Sequence, residues 1–284
     1  MIKKKAVIIP KICLAILTTL VISGCLKESL SEPSNIRYAV QWRGYISVKN
    51  DKNITLHLAF IDKYVNGVPN QQKVFKKPLI ITYRQKIPAS EVHIMFGKII
   101  EDYQLFTLRI VLPPLPSGKY TAYGLRYTDE NKQEQQLSIG KFLIDVIDKT
   151  DNNALSLEGG TISSSSLQTI RSIIKNTSQY PVNINHITSE IPSINLVTTY
   201  ELEGHSDSVL LPSESKTITT YFHLENQKYQ YTFVIVRPML EYTIGGNVYR
   251  EPLQLTVISP EFAEAHSIKR YVEQIPKSGY HLLP

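Results

Sequence analysis

Ile54-Thr55-Leu56-His57-Leu58-Ala59-Phe60 alternates large apolar residues with polar or small ones, so Ile54, Leu56, Leu58 and Phe60 share one face of an extended strand. The same period of two returns in Phe106, Leu108, Ile110 and Leu112, and again in Phe142, Ile144 and Val146. Tyr229, Tyr231, Phe233 and Ile235 form a further set, and Leu253, Leu255 and Val257 another. Turn-forming runs punctuate these strands: Asn50-Asp51-Lys52-Asn53, Asn66-Gly67, Pro113-Pro114, Ser117-Gly118, Asp129-Glu130-Asn131 and Gly245-Gly246-Asn247. Many short strands with few helical patterns predict an all-β chain of antiparallel sandwiches. The composition agrees, because 42% hydrophobic against 20% charged residues excludes a disordered chain. Its 17 Tyr suit half-buried pleated surfaces, where a ring packs and a hydroxyl stays wet.

Two short stretches sharpen this expectation. Leu115-Pro116-Ser117-Gly118-Lys119-Tyr120 resembles the corner that opens a late strand in immunoglobulin and fibronectin-type modules, where a Tyr hydroxyl returns to the backbone a few residues upstream. Asn176-Thr177-Ser178-Gln179-Tyr180-Pro181-Val182 and Leu211-Pro212-Ser213-Glu214-Ser215 resemble strand-turn pairs of bacterial immunoglobulin-like domains. The resemblance implies two tandem immunoglobulin-like β-sandwiches, over residues 36–148 and 149–258, with a short C-terminal helix and tail over 259–284. The Cys…Trp…Cys pattern of antibody domains is absent, which leaves Trp42 as a core residue with no disulfide to pack on. A single large jelly roll or a non-immunoglobulin sandwich is the competing arrangement.

The N-terminus reads as an export signal. Lys3, Lys4, Lys5 and Lys11 precede an apolar run over 12–22 that is too short to span a bilayer, and the run ends in Ile22-Ser23-Gly24-Cys25. That ending resembles the lipobox of bacterial lipoproteins. The resemblance implies a signal peptide over 1–24, acylation of Cys25, and a polar tether over 25–35. Cys13 would leave with the signal, so no thiol remains for a disulfide or a metal site. Leu26 follows the Cys rather than Asp, which leans to the outer membrane in a Gram-negative cell; in a Gram-positive cell the same signal means the outer face of the plasma membrane.

Loss of residues 1–24 leaves 27 basic against 25 acidic side chains, which removes the case for a nucleic-acid partner. The remaining charge is uneven: residues 36–148 carry 16 basic and 10 acidic side chains, residues 149–284 carry 10 and 13. Lys73, Lys76, Lys77, Arg84 and Lys86 concentrate the excess on the half nearest the anchor, a candidate surface for anionic headgroups or envelope polymers. A solvated face without a ligand has the same signature.

Asp148-Lys149-Thr150-Asp151-Asn152-Asn153 offers hard oxygens at the joint between the halves, but lacks the EF-hand spacing and reads as a polar linker. Ser259, Pro260 and Glu261 suit a helix start, and Phe262, Ala265, Ile268, Tyr271, Val272 and Ile275 form an apolar stripe that predicts docking on the neighbouring domain or on a partner. Catalytic patterns are missing: no Gly-x-Ser-x-Gly, His-Glu-x-x-His, Walker or dinucleotide motif occurs, and no cofactor or metal is expected. Glu101-Asp102 and His205-Ser206-Asp207 carry the right residue types, but sequence neighbours rarely converge as catalytic partners. The sequence therefore predicts a non-catalytic, lipid-anchored envelope protein acting as a binding or structural accessory subunit. It would be held to the membrane through Cys25 beside an envelope protein partner. A carbohydrate-binding module using Trp42, Tyr45 and Tyr83, and a chaperone-like subunit, are the alternatives.

Overall fold

The structure is a computed structural model that describes residues 35–64, 74–149, 154–158, 162–164, 169–192, 196–203, 208–224, 233–258 and 265–275. The first half contains β1 (Asn35–Ala39), β2 (Trp42–Lys49), β3 (Ile54–Tyr64), β4 (Lys76–Thr82), β5 (Lys86–Pro88), β6 (Glu91–Ile100), β7 (Tyr103–Leu112), β8 (Gly118–Thr128) and β9 (Glu134–Ile147). The second contains β10 (Leu155–Glu158), β11 (Ile162–Ser164), β12 (Thr169–Asn176), β13 (Val182–Thr188), β14 (Leu196–Leu202), β15 (Val209–Leu210) and β16 (Ser215–Leu224). It continues through β17 (Phe233–Arg237), β18 (Met239–Ile244), β19 (Asn247–Pro252) and β20 (Thr256–Ile258), and the helix α1 (Ala265–Gln274) follows.

The chain is all-β and forms immunoglobulin-like sandwiches. In the first, the sheet β1-β3-β7-β6 faces β2-β9-β8-β4-β5, with β2 parallel to β9. Chain order turns this into the immunoglobulin arrangement: β1, β3, β7 and β6 occupy the A, B, E and D places, and β4, β8 and β9 those of C, F and G. The alternation read from the sequence sets the facing surfaces, for Leu56, Leu58, Phe60, Phe106, Leu108, Ile110, Phe142 and Ile144 are all buried in one core. Tyr120, near the start of β8, donates its hydroxyl to the Pro116 carbonyl at 2.8 Å. Ala122 then stands buried where an antibody domain has its second cysteine. Trp42 packs at 5.1 Å on Phe233 and 6.4 Å on Phe142, ring against ring across the neighbouring strands β17, β2 and β9. Deep in the same core Arg37 pairs with fully buried Asp62 at 2.9 and 3.2 Å and lies 4.9 Å over the Phe75 ring. Burial alone would lower the Arg37 pKa, but the Asp62 hydrogen bonds and charge, helped by Tyr127, hold it above the ordinary guanidinium range.

The second sandwich repeats the plan, with β10-β12-β16-β14 against β15-β13-β18-β19. Fully buried Asn176 ties its turns together: the side-chain amide donates to the Tyr180 and Leu210 carbonyls and its oxygen accepts from Ser178. Gly245 and Gly246, at φ 55° and 85°, close the β18–β19 hairpin in two residues, a turn that needs the left-handed region twice.

The two sandwiches share a sheet. Pro238 lacks a backbone donor and interrupts the long strand that would join β17 to β18. Before that break β17 runs parallel to β2, and β20 pairs with β17, so an eight-stranded sheet of order β11-β20-β17-β2-β9-β8-β4-β5 spans both halves. All of Phe233–Val236 is buried, because this strand is covered on both faces. Phe233 and Ile235 join the first core, whereas Val234 and Val236 join a junction cluster with Tyr45, Ile147, Phe222 and Met239. The same double coverage corrects the one-face reading of Leu253, Leu255 and Val257. Thr256 and Ile258 are buried, and Leu255 and Val257 are only half-buried. Ser47 donates to the carbonyls of Arg237 at 2.7 Å and Pro238 at 3.0 Å, and Lys49 meets Glu251 at 2.7 Å, which locks the junction.

Helix α1 is described from Ala265; the expected helix start at residues 259–261 lies outside the described residues. It docks on the first sandwich rather than on the second, because β20 delivers the chain to that side. Ile268, Tyr271 and Val272 enter the first core, Tyr271 meets Phe233 edge-on at 5.8 Å, and its hydroxyl accepts from the Gln41 amide at 3.1 Å.

Candidate functional site

Cys25 and Lys73 lie outside the described residues. Lys76 and Lys77 open β4, Arg84 sits in the β4–β5 turn, and Lys86 opens β5; all four are exposed. Lys86 pairs with Ile81, five residues beyond Lys76, so about 16 Å of strand separates the two ends of this basic run. They do not form one cluster. The hairpin end gains other partners instead. Exposed Tyr83 stacks on Tyr123 at 5.0 Å, and two strands further across the sheet Arg43 and Lys141 stand directly opposite on β2 and β9. Like charges facing each other in a ladder repel, and neither has a carboxylate within salt-bridge reach among the described residues. This pairing depends on parallel register between distant segments, which no local pattern announces. Trp42 and Tyr45 are 2% and 1% exposed, so the aromatic trio expected of a carbohydrate module does not share a face with Tyr83.

The outer edge of the first sandwich is β6. Among the described residues its main-chain edge away from β7 has no neighbour, and Met95, Phe96 and Ile99 are 45%, 49% and 53% exposed on it. A register shift between Phe96 and Ile99 bulges the strand at Gly97 and Lys98 and blunts its distal end. Val92 and Ile94 reach partly into the core, which keeps the proximal stretch straight. Glu101 and Asp102 form the tight turn into β7, not a strand, with Glu101 at φ 52°; Asp102 is 3.9 Å from Lys63.

A cleft of about 550 Å³ opens where the sandwiches meet. β1 leaves its sheet at Ala39 and the chain crosses to the opposite sheet as β2, so among the described residues the start of β3 has a strand on one side only. His57 on β3 and Arg109 on β7 face each other in register there, and Arg237 enters from β17. The Arg237 Nε donates to the Leu253 carbonyl at 3.0 Å, which fixes the guanidinium plane. Burial pulls the Arg237 pKa below its ordinary value, against the charge of Glu251. Burial, and then the charge of Arg109, likewise holds His57 below its ordinary value. Among the described residues no three His, Cys, Asp or Glu stand together as a metal site. Asp148 in the joint accepts from Asn50 and Ser117, and residues 150–153 of that stretch lie outside the described residues.

No protein-family model matches the chain, and no curated protein matches it. Among solved structures, a protein of unknown function from Porphyromonas gingivalis W83 is 10% identical, over 78% of this chain and 99% of its own, at TM-score 0.25. A titin fragment is 8% identical over 78% and 98%, at 0.21. The tandem immunoglobulin repeats of Dlar are 8% identical over 79% and 98%, at 0.22. Likenesses this distant carry no argument about activity, and the fold assignment rests on the strand order of this chain.

Proposed function

We propose that this chain is a lipid-anchored, non-catalytic binding subunit of a bacterial envelope, which holds a protein partner along the edge of β6. The exposed apolar side chains Met95, Phe96 and Ile99, on a strand whose outer main-chain edge has no neighbour among the described residues, are the observation that carries this reading. Proteins blunt their sheet edges against stray pairing, so an apolar edge left open is suited to an added partner strand. The order of positive charge, short apolar run and Ile22-Ser23-Gly24-Cys25 supports the anchor, and a short tether would keep the body close to the bilayer. Labelled palmitate should enter the wild-type chain and not Cys25→Ser, which should fractionate away from membranes. A stoichiometric protein partner should co-purify with the wild type and be lost from Met95→Lys and Ile99→Lys, both at exposed positions. Retention of the partner by both variants rejects the β6 edge. Membrane association of Cys25→Ser equal to wild type rejects the anchor.

The stacked Tyr83–Tyr123 pair beside Arg84, with Arg43 and Lys141 across the sheet, favours a second reading, in which the basic half meets an anionic envelope polymer. Retention on immobilised anionic glycan that falls with salt and disappears in Arg43→Gln/Lys141→Gln would support it.

A further inference from the structure

The geometry points to the cleft between the sandwiches as a binding site for a small amphiphilic anion, a carboxylate or phosphate monoester carried on an apolar chain. This inference does not depend on the β6 edge or on the lipid anchor.

Cations dominate the polar part of the cleft. Arg109 and Arg237 line it without a carboxylate in salt-bridge reach among the described residues, and Glu158 is the one acidic side chain in the lining. A guanidinium has five N–H donors in a fixed fork. Arg237 commits its Nε to Leu253, and no described residue accepts from the other four donors. Such a fork suits the paired oxygens of a carboxylate or phosphate.

A second, independent observation comes from β12 of the second sandwich. Ser172 is 3% exposed, lines the cleft, and its hydroxyl has no hydrogen-bond partner. A buried hydroxyl without a partner is costly, and a chain carries that cost more readily where a ligand atom completes the bond. The neighbouring residues on its face of β12, Ile170 and Ile174, are ordinary core aliphatics, so the packing of this face does not itself call for a hydroxyl.

The remaining walls select against a bare inorganic anion. Ile46, Val48, Ile54 and Leu253 supply apolar surface. At ~30 Å³ for each water-sized atom, the cleft holds on the order of eighteen heavy atoms, more than a phosphate and fewer than a two-chain lipid.

The test uses the full chain in neutral phospholipid nanodiscs, with empty discs as the blank. Calorimetric titration is carried out with hexanoate, hexyl phosphate, inorganic phosphate and hexan-1-ol. One saturable site per chain is expected for hexanoate or hexyl phosphate, and the tighter of the two names the head group. Hexanol and inorganic phosphate should each bind at least about tenfold more weakly, since each lacks one half of the recognition. Arg109→Gln, on a half-exposed position, should weaken the better ligand about tenfold. Ser172→Ala should also weaken it while leaving the free protein as stable as wild type or more so, a pairing that a merely structural serine would not give. Equal affinity for inorganic phosphate and the amphiphiles overturns the proposal, as does the absence of saturable binding by all four probes. Unchanged binding in Arg109→Gln together with loss of stability in Ser172→Ala overturns it as well.

Discussion

Gly140 has φ 88°, and a Cβ built on it would lie 2.0 Å from the Trp42 carbonyl oxygen. Backbone, unlike a flexible side chain, cannot step aside, so Gly140→Ala should cost more than about 3 kcal/mol of stability in urea unfolding. Gly245 also has positive φ, but nothing stands within 4 Å of its would-be Cβ. Gly245→Ala should therefore cost only about 1 kcal/mol, the conformational strain alone. The sequence shows both as glycines and cannot rank them, because the clash at 140 comes from a parallel neighbour far away in the chain. His57 carries a pH prediction. Its folded pKa lies below the ordinary 6.5 because burial and Arg109 disfavour the imidazolium. The unfolded chain therefore takes up this proton first as pH falls, and stability drops from about 6.5 down to the lower folded value while staying level above. The urea midpoint should fall between pH 7.5 and 5.5, and by less in His57→Gln. An equal fall in both assigns the acid sensitivity to other groups.

Among the elements, β3, β7 and β9 follow their sequence alternation closely, because each has one face on a core and one turned outward. β17 and β20 do not, since the shared sheet covers both of their faces and a period of two no longer reports which side is buried. Helix α1 has a legible stripe but an illegible destination. Its apolar face says that it docks, and only the course of β20 takes it to the first sandwich. Ile268 is fully buried there, so Ile268→Ala should destabilise the first sandwich by about 2–5 kcal/mol, read from the unfolding signal of Trp42. Deletion of residues 259–284 should expose Phe233 and lower that stability further. Unchanged unfolding in both variants would release the helix from the core.

At the scale of the whole molecule, the parallel pairing of β17 with β2 makes the two sandwiches one mechanical body. The Trp42 transition and an amide signal from the second sandwich should therefore coincide in urea and heat, as a single cooperative unit. Two separated transitions would mean that the shared sheet contributes little. An isolated 36–148 fragment would lose Phe233 from Trp42 and bare the edge of β2, and it should be less stable than the same residues in the full chain. The sequence alone determined that this chain is built from strands, which residues of most strands face inward, where the turns fall, and that a Tyr corner opens β8. These are local properties, set by period, turn chemistry and neighbours a few residues apart. Tertiary structure alone decided the shared sheet, the helix dock, the Arg43–Lys141 pair and the cleft with Arg109, Arg237 and Ser172. Each of these joins segments from remote parts of the chain, and which segments meet is fixed by long-range register and by burial that pays for it only once the whole sheet has formed.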